Sequence, residues 1–265
     1  INELKSFLQK KIETKKEKFK EQEKQKQLQS EGIDVTLPGR RRGVGKRHII
    51  TQVNDELATI FKRMGFSLAF GPEVESDYYN FEALNIPELH PARDDWDSLY
   101  LDEENLLRTH TSPVQIREME DQDPPVKIIC PGKCYRRDTP DATHYPVFHQ
   151  VELLWVDENL TFANLKYLIK SFVEEFFGPE FSMRFRADYF PFTEPSAEVD
   201  VKRPGGEDWL EIMGSGMVDP NVLEAVEYDP EIYQGFALGL GVERMAMLKY
   251  RSEEHTSELQ SPSAI

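Results

Sequence analysis

Cys134-Tyr-Arg-Arg-Asp138 and Phe148-His-Gln-Val-Glu152 bracket a polar loop that contains Pro140 and Pro146, and the reading of this stretch decides the fold. Apolar runs at Val126–Cys130 and Val147–Val156 flank the loop, so the segment reads as strand, loop, strand. The second strand alternates: Gln150 and Glu152 face one way, Val151, Leu153 and Trp155 the other. Arg136, held at a strand end by sheet pairing, can grip a planar polyanion bidentately, and an aromatic on the returning strand, Phe148, can stack on a base. Gln150 and Glu152 on one inward face can receive an ammonium group. Taken alone, Arg136 and Arg137 read equally well as a surface pair, whereas an inward carboxylate and amide need partners.

Outward from this hairpin the periodicities are clear. Ile49–Met64 puts Ile50, Val53, Leu57, Ile60, Phe61 and Met64 on one helical face, stopped by Gly65. Phe66–Phe70 reads as a short strand closed by Gly71-Pro72, and Ser112–Glu120 as a helix with Pro113 at its first position. Phe162–Phe177 is an amphipathic helix ended by Gly178-Pro179. Met183–Tyr189, Ala197–Val201 and Trp209–Met217 read as strands, and a Gly-rich strand leads into a last helix, Gly241–Tyr250. Strands in mostly consecutive order with helices unevenly inserted indicate an α+β fold with a largely antiparallel sheet.

Residues 3–30 are dense in Lys, Glu and Gln without Gly or Pro. Leu4, Phe7, Leu8 and Ile12 recur at helical spacing, then Phe19 and Leu28 stand almost alone, which predicts a long exposed helix that leans on a partner or on RNA. Leu37-Pro-Gly-Arg-Arg-Arg-Gly-Val-Gly45 ends it as a linker. The net charge is −16, yet residues 1–50 carry 14 Lys and Arg against 7 Asp and Glu, a net of +7, which leaves 18 − 41 = −23 for the rest. A basic arm on an acidic body is the form a separate polyanion contact takes, although on charge alone a solvated helix face is the plainer reading. Apolar runs far too short for a membrane span, an opening at Ile1 with no signal-peptide pattern and only two cysteines predict a fragment of a soluble cytoplasmic protein. The segment Arg-Ser-Glu-Glu-His-Thr-Ser-Glu-Leu-Gln-Ser261 resembles translated sequencing adapter and is given no functional weight.

Three further segments carry chemistry. Gly235-Phe-Ala-Leu-Gly-Leu-Gly-Val-Glu-Arg-Met245 lets a ligand approach the backbone, then turns a helix N-terminus and Arg244 toward it. It fails as a dinucleotide fingerprint, because no third Gly follows at the right spacing. In Tyr189-Phe-Pro-Phe-Thr-Glu-Pro-Ser196, Phe190 and Phe192 share one strand face, as pocket wall or as ordinary core, and Glu194 could hold a metal. In Leu107-Arg-Thr-His-Thr-Ser-Pro-Val-Gln115, helix capping explains Ser112 without a ligand, and His110 is as readily a core histidine as a site residue. A rival reading takes Cys130, Cys134, His144 and His149 as zinc ligands, against which stand a short gap and two prolines.

Together and in this order, these segments resemble the alpha subunit of bacterial-type phenylalanyl-tRNA synthetase, within the class II aminoacyl-tRNA synthetases, from about residue 34 to Tyr250. Tyr78-Tyr-Asn-Phe-Glu-Ala-Leu-Asn, Arg108-Thr-His-Thr-Ser-Pro-Val-Gln, Asp141-Ala-Thr-His, Phe148-His-Gln-Val-Glu and Phe190-Pro-Phe-Thr-Glu-Pro-Ser-Ala-Glu-Val-Asp all fit. The resemblance implies a class II synthetase-like, mostly antiparallel sheet flanked by helices over residues 48–250. A partial coiled-coil arm (1–32) and a basic linker (33–47) would precede it, and a non-native tail (251–265) would follow.

The resemblance also implies roles. Arg136 would clamp the α-phosphate and the substrate carboxylate, Phe148 and Arg244 would sandwich adenine beside Gly241, and His144 would sit by the leaving pyrophosphate. Asp138 stands where a longer Glu usually reads the adenine amino group, so that contact would run through water. His110, Ser112, Gln115, Gln150 and Glu152 would surround the ammonium, with Phe190, Phe192, Ala237 and Gly239 around the phenyl ring. Glu194 matches a magnesium ligand at a site shared with the beta subunit. The implied partners are that beta subunit in an α2β2 assembly, tRNA-Phe, ATP and phenylalanine, with no membrane. Cys130 and Cys134 replace small or aliphatic residues and read as neutral packing. The alternatives are a relative charging another amino acid, such as phosphoserine, or a non-catalytic RNA-binding module.

Overall fold

A stretch from Asn2 to Ser30 with no helix breaker forms helix α1. Phe7, Leu8, Ile12 and Phe19 each remain more than half exposed on it. The computed structural model describes residues 2–30, 45–96, 98–140 and 145–250. Most of the expected linker and all of the expected tail therefore lie outside the described residues. The chain divides into two compact units, Ile1–Gly45 and Lys46–Ile265.

Within the second unit, α2 (Ile49–Arg63) forms where apolar residues recur at three and four, and Ile50, Val53, Leu57, Ile60 and Phe61 are all buried. Its chain leaves through Gly65, whose φ of +91° suits glycine. Next come β1 (Ser67–Leu68), β2 (Val74–Ser76), α3 (Asp77–Asn80), β3 (Leu99–Tyr100), β4 (Asn105–Leu107) and α4 (Pro113–Asp121). The long hairpin is β5 (Val126–Tyr135) and β6 (Val147–Glu158), followed by α5 (Phe162–Phe177). A meander, β7 (Ser182–Phe190), β8 (Thr193–Lys202) and β9 (Leu210–Val218), leads to α6 (Pro220–Ala225), β10 (Tyr233–Gly241) and α7 (Val242–Tyr250).

Seven strands form the main sheet in the order β1-β5-β6-β10-β9-β8-β7, and β2-β4-β3 form a small second sheet. Among the described residues only the β1–β5 pairing is parallel. The expected strand Phe66–Phe70 shortens to Ser67–Leu68, while β5 runs past its expected end at Cys130. β5 tolerates Pro131 because it no longer pairs with β1 beyond Ile129.

One face of the main sheet carries Val151, Leu153, Phe236, Leu238 and Leu240 into a core shared with α2, α5 and α7. There Phe61 stacks on Phe172 at 4.8 Å. Each such fully buried side chain contributes about 1.5–3 kcal/mol. The opposite face buries Ile128, Cys130, Leu154 and Val156 against Val114 and Met119 of α4 and Val222 and Leu223 of α6. This second layer stops short of one end of the strands, and the site opens there.

Candidate active site

Strand register builds the floor of the site. Across the sheet, Cys130, Glu152, Gly239, Gly214, Glu198 and Arg186 stand in one row. A neighbouring row sets Gly132, Gln150 and Gly241 side by side, and another sets Leu154 beside Ala237. Long polar side chains thus rise next to residues with little or no side chain, which leaves a cavity of about 410 Å³. The glycines are required by their neighbours: a Cβ on Gly214 would meet the Phe190 ring tip at 2.9 Å, and one on Gly239 would press on Glu152 Cγ at 3.2 Å.

Glu152 is the polar centre of this floor. It is only 5% exposed. One carboxylate oxygen accepts from the Thr111 N–H at 3.1 Å. The other accepts from the Ser112 hydroxyl at 2.5 Å and from Gln115 Nε2 at 2.8 Å. Burial nevertheless raises the Glu152 pKa, against the pull of these donors and of Arg108. Ser112 stands at the N-cap position of α4 but makes no side-chain cap bond, so capping does not explain it: its hydroxyl serves Glu152. His110 is buried beside them, and burial together with the Arg136 charge holds its pKa down at about 3, so the ring is neutral.

Arg136 follows the last residue of β5. Its guanidinium lies 4.9 Å over the Phe148 ring, and its Nε donates to the Thr109 carbonyl at 3.2 Å. Arg244, in the first turn of α7, donates to the carbonyl and carboxylate of Glu211, both at 3.1 Å. Glu198 also lines the cavity. Burial, a hydrogen bond with Asp188 and the nearby charge of Glu211 push its pKa up to about 7.

The cavity brings together Arg136, Asp138, Phe148, Gly241 and Arg244 with His110, Ser112, Gln115, Gln150, Glu152, Phe190, Phe192, Ala237 and Gly239. Glu194 does not line it and is exposed on β8, and His144 lies outside the described residues. Phe190 ends β7 and Phe192 sits in the turn before β8, rather than both on one strand. They still stack at 6.0 Å with planes 8° apart.

The zinc reading meets a geometric obstacle. Cys130 and Cys134 pair across the hairpin with Glu152 and Phe148, on the cavity side, while His149 alternates to the far face and binds Glu243. Burial also pushes both thiols well up, away from the thiolate a metal needs. Nor is Cys134 neutral packing, because its thiol donates to Gln150 Oε1 at 3.1 Å. Sequence reasoning missed Glu198, Glu211 and Glu243, three acids in a chain with 48, and Arg108. Arg108 is buried and donates to the carbonyls of Lys133, Gly71 and Pro72.

Comparison with known proteins identifies the family. The family model described as tRNA synthetases class II core domain (F) matches residues 32–256. The phenylalanine–tRNA ligase alpha subunit of Caldicellulosiruptor saccharolyticus is 54% identical over 264 residues, covering 96% of this chain and 78% of that protein. The alpha subunit of the same name from Syntrophus aciditrophicus is 56% identical over 259 residues, covering 94% and 76%. Among solved structures, pyrrolysyl-tRNA synthetase from Desulfitobacterium hafniense shares the fold, with a TM-score of 0.63 and 22% identity over 81% of this chain and 74% of that one. The chain belongs to the phenylalanine–tRNA ligase alpha subunits, a family built on the class II synthetase core.

Proposed function

We propose that the chain activates phenylalanine with ATP and transfers it to tRNA-Phe, working in the cytoplasm with a beta subunit in an α2β2 assembly. One observation carries this reading. Glu152 is a buried carboxylate facing an open cavity, ringed by donors, with the stacked Phe190 and Phe192 lining the same cavity. A carboxylate whose proton affinity burial has raised gains most from a cation. The ammonium of an aromatic amino acid brings one, while its ring enters an apolar slot bounded by Phe190, Phe192 and Ala237.

With the ammonium held by Glu152, Gln150 and Ser112, and with His110 and Gln115 close by, the amino acid's carboxylate faces Arg136. That carboxylate attacks the α-phosphorus of ATP, and the bond to pyrophosphate breaks. Arg136 holds both reactants and neutralises charge gathering on the pentacoordinate phosphorus. Phe148 and Arg244 grip the adenine between a π face and a cation, with Gly241 leaving room and Asp138 reading the amino group through water. His144 attends the departing pyrophosphate. A terminal ribose hydroxyl of tRNA then attacks the adenylate carbonyl, forming the ester and releasing AMP.

The donor chemistry fits magnesium, which takes one or two carboxylates and completes its shell with phosphate oxygens and water. Glu211 and Glu198 suit that task, since a cation would relieve the repulsion that helps keep the Glu198 proton on to about pH 7. Glu194, exposed and off the cavity, suits only a site that the beta subunit completes. Bound magnesium would supply neutralisation of phosphate charge. The basic arm of residues 1–50 suits a tRNA contact. No helix among the described residues is long and apolar enough to cross a membrane.

A pocket for phosphoserine would need cations at the aromatic slot, and the basic residues lining the cavity are His110, Arg136 and Arg244. A non-catalytic relative would have no use for both arginines. The test is tRNA charging by the chain co-expressed with its beta subunit, one amino acid at a time. Phenylalanyl-tRNA is the expected product; charging with another amino acid alone would replace the substrate, and no charging by a folded complex would favour the RNA-binding reading.

A further inference from the structure

The antiparallel ladder between β6 and β10 ends at Gln150 opposite Gly241. The next backbone N–H on β6, that of His149, is taken instead by a side chain. Both carboxylate oxygens of Glu243 accept from it at 3.0 Å, and Glu243 Oε1 lies 2.7 Å from His149 Nδ1. Glu243 is 6% exposed and sits in the first turn of α7, where negative charge is favoured. Glu243 immediately precedes Arg244, and His149 immediately follows Phe148. One three-contact clamp therefore ties the backbone beside the aromatic ring to the backbone beside the cation.

We infer that Glu243 and His149 are positioning residues that set the width of the adenine slot by fixing Phe148 on β6 against Arg244 on α7. The inference rests on the reading of this cavity as the site for ATP and phenylalanine. Neither residue touches the base in this account; they act through their neighbours. A slot held a fraction of an ångström too wide loses stacking and cation–π contact with adenine, while the amino acid pocket around Glu152 has its own supports and keeps its shape.

The experiment is phenylalanine-dependent ATP–pyrophosphate exchange with the chain in its complex with the beta subunit, for wild type, His149→Ala, Glu243→Gln and Glu243→Ala. The expected result for His149→Ala is a KM for ATP raised about tenfold with the KM for phenylalanine changed less than about twofold. Adenosine should inhibit about tenfold more weakly, and tripolyphosphate equally well. Glu243→Gln, which keeps one acceptor for the backbone N–H, should fall between wild type and Glu243→Ala. If Glu243→Ala does not fold, His149→Ala still decides, because it leaves the carboxylate on the backbone N–H. Both KM values rising together with a fallen melting temperature, or neither moving, would overturn the inference. A wild-type complex without exchange would instead overturn the functional reading, and the inference with it.

Discussion

The Ser112 hydroxyl donates a 2.5 Å hydrogen bond to the Glu152 carboxylate, joining the start of α4 to the middle of β6 across 40 positions of chain. It makes a helix terminus part of a binding site and keeps a buried charge from being an unpaired one. Three donors leave the carboxylate short of a full countercharge, since burial still raises its pKa. A ligand's ammonium completes it.

Glu152→Gln keeps the shape and removes the charge, and it turns an amide N–H either toward the Thr111 N–H or toward the Ser112 and Gln115 donors, while the remaining oxygen still accepts on the other side. With hydrogen bonds to charged groups worth about 1.5–3 kcal/mol, kcat/KM for phenylalanine should fall about 10- to 150-fold. The KM for ATP should move little. Steady-state kinetics with each substrate varied in turn checks this, and an unchanged KM for phenylalanine would count against the role given to Glu152.

His110 gives a pH dependence with a definite sign. Its folded pKa, about 3, lies below the ordinary 6.5, chiefly because burial opposes the charged ring. A depressed folded value stabilises the fold above pH 6.5, and that contribution is lost as pH falls from 6.5 toward 3. Relative to His110→Gln, the wild type should lose up to about 1.4 kcal/mol per pH unit across that window. Urea titrations at several pH values measure it; parallel stability curves for the two proteins would contradict the buried neutral ring.

Legibility in the sequence followed regularity. α5 ends where periodicity and Gly178-Pro179 say it should, and its start is marked by the capping box of Thr161 and Asn164. The alternation of β6 correctly separated Gln150 and Glu152 from Val151 and Leu153. The small sheet of β2, β3 and β4 escaped notice because strands of two or three residues carry no period. The residues alone gave Ser112 a sufficient local explanation, helix capping, and only the family resemblance set it beside the ammonium; its partner is 40 residues away. Glu243 and Arg108 were invisible as functional residues for the same reason: an isolated charge acquires meaning only from what the fold sets beside it.

Gly214→Ala should act on the aromatic slot. The new Cβ would stand 2.9 Å from the Phe190 ring tip and drive the ring toward the cavity. The expected result is a stability loss of about 1–3 kcal/mol with a KM for phenylalanine raised about tenfold and the KM for ATP near its wild-type value. Calorimetry and the same kinetics test this; an unaltered KM for phenylalanine would remove Phe190 from the slot.

Gly132→Ala should act on the frame. Its Cβ would fall 2.0 Å from Arg108 Nη2 and 2.9 Å from Cζ, so the guanidinium, whose Nε and Nη1 donate to the carbonyls of Lys133, Gly71 and Pro72, must shift. Each charge-assisted hydrogen bond lost in that shift costs about 1.5–3 kcal/mol. Chemical denaturation should show that loss, and Arg108→Lys should not be mild, since an ammonium cannot reproduce the fork. A Gly132→Ala protein of wild-type stability would show that Arg108 is not held as described.

The most direct test of the central claim is pyrophosphate exchange into ATP by the complex with the beta subunit, with every amino acid supplied separately, for wild type and for Arg136→Ala. The account predicts exchange driven by phenylalanine alone, reduced by about 10²–10³ or more in Arg136→Ala because the cation facing the developing phosphorane charge is gone. Exchange driven by a different amino acid, or phenylalanine-driven exchange that survives Arg136→Ala unchanged, would contradict it.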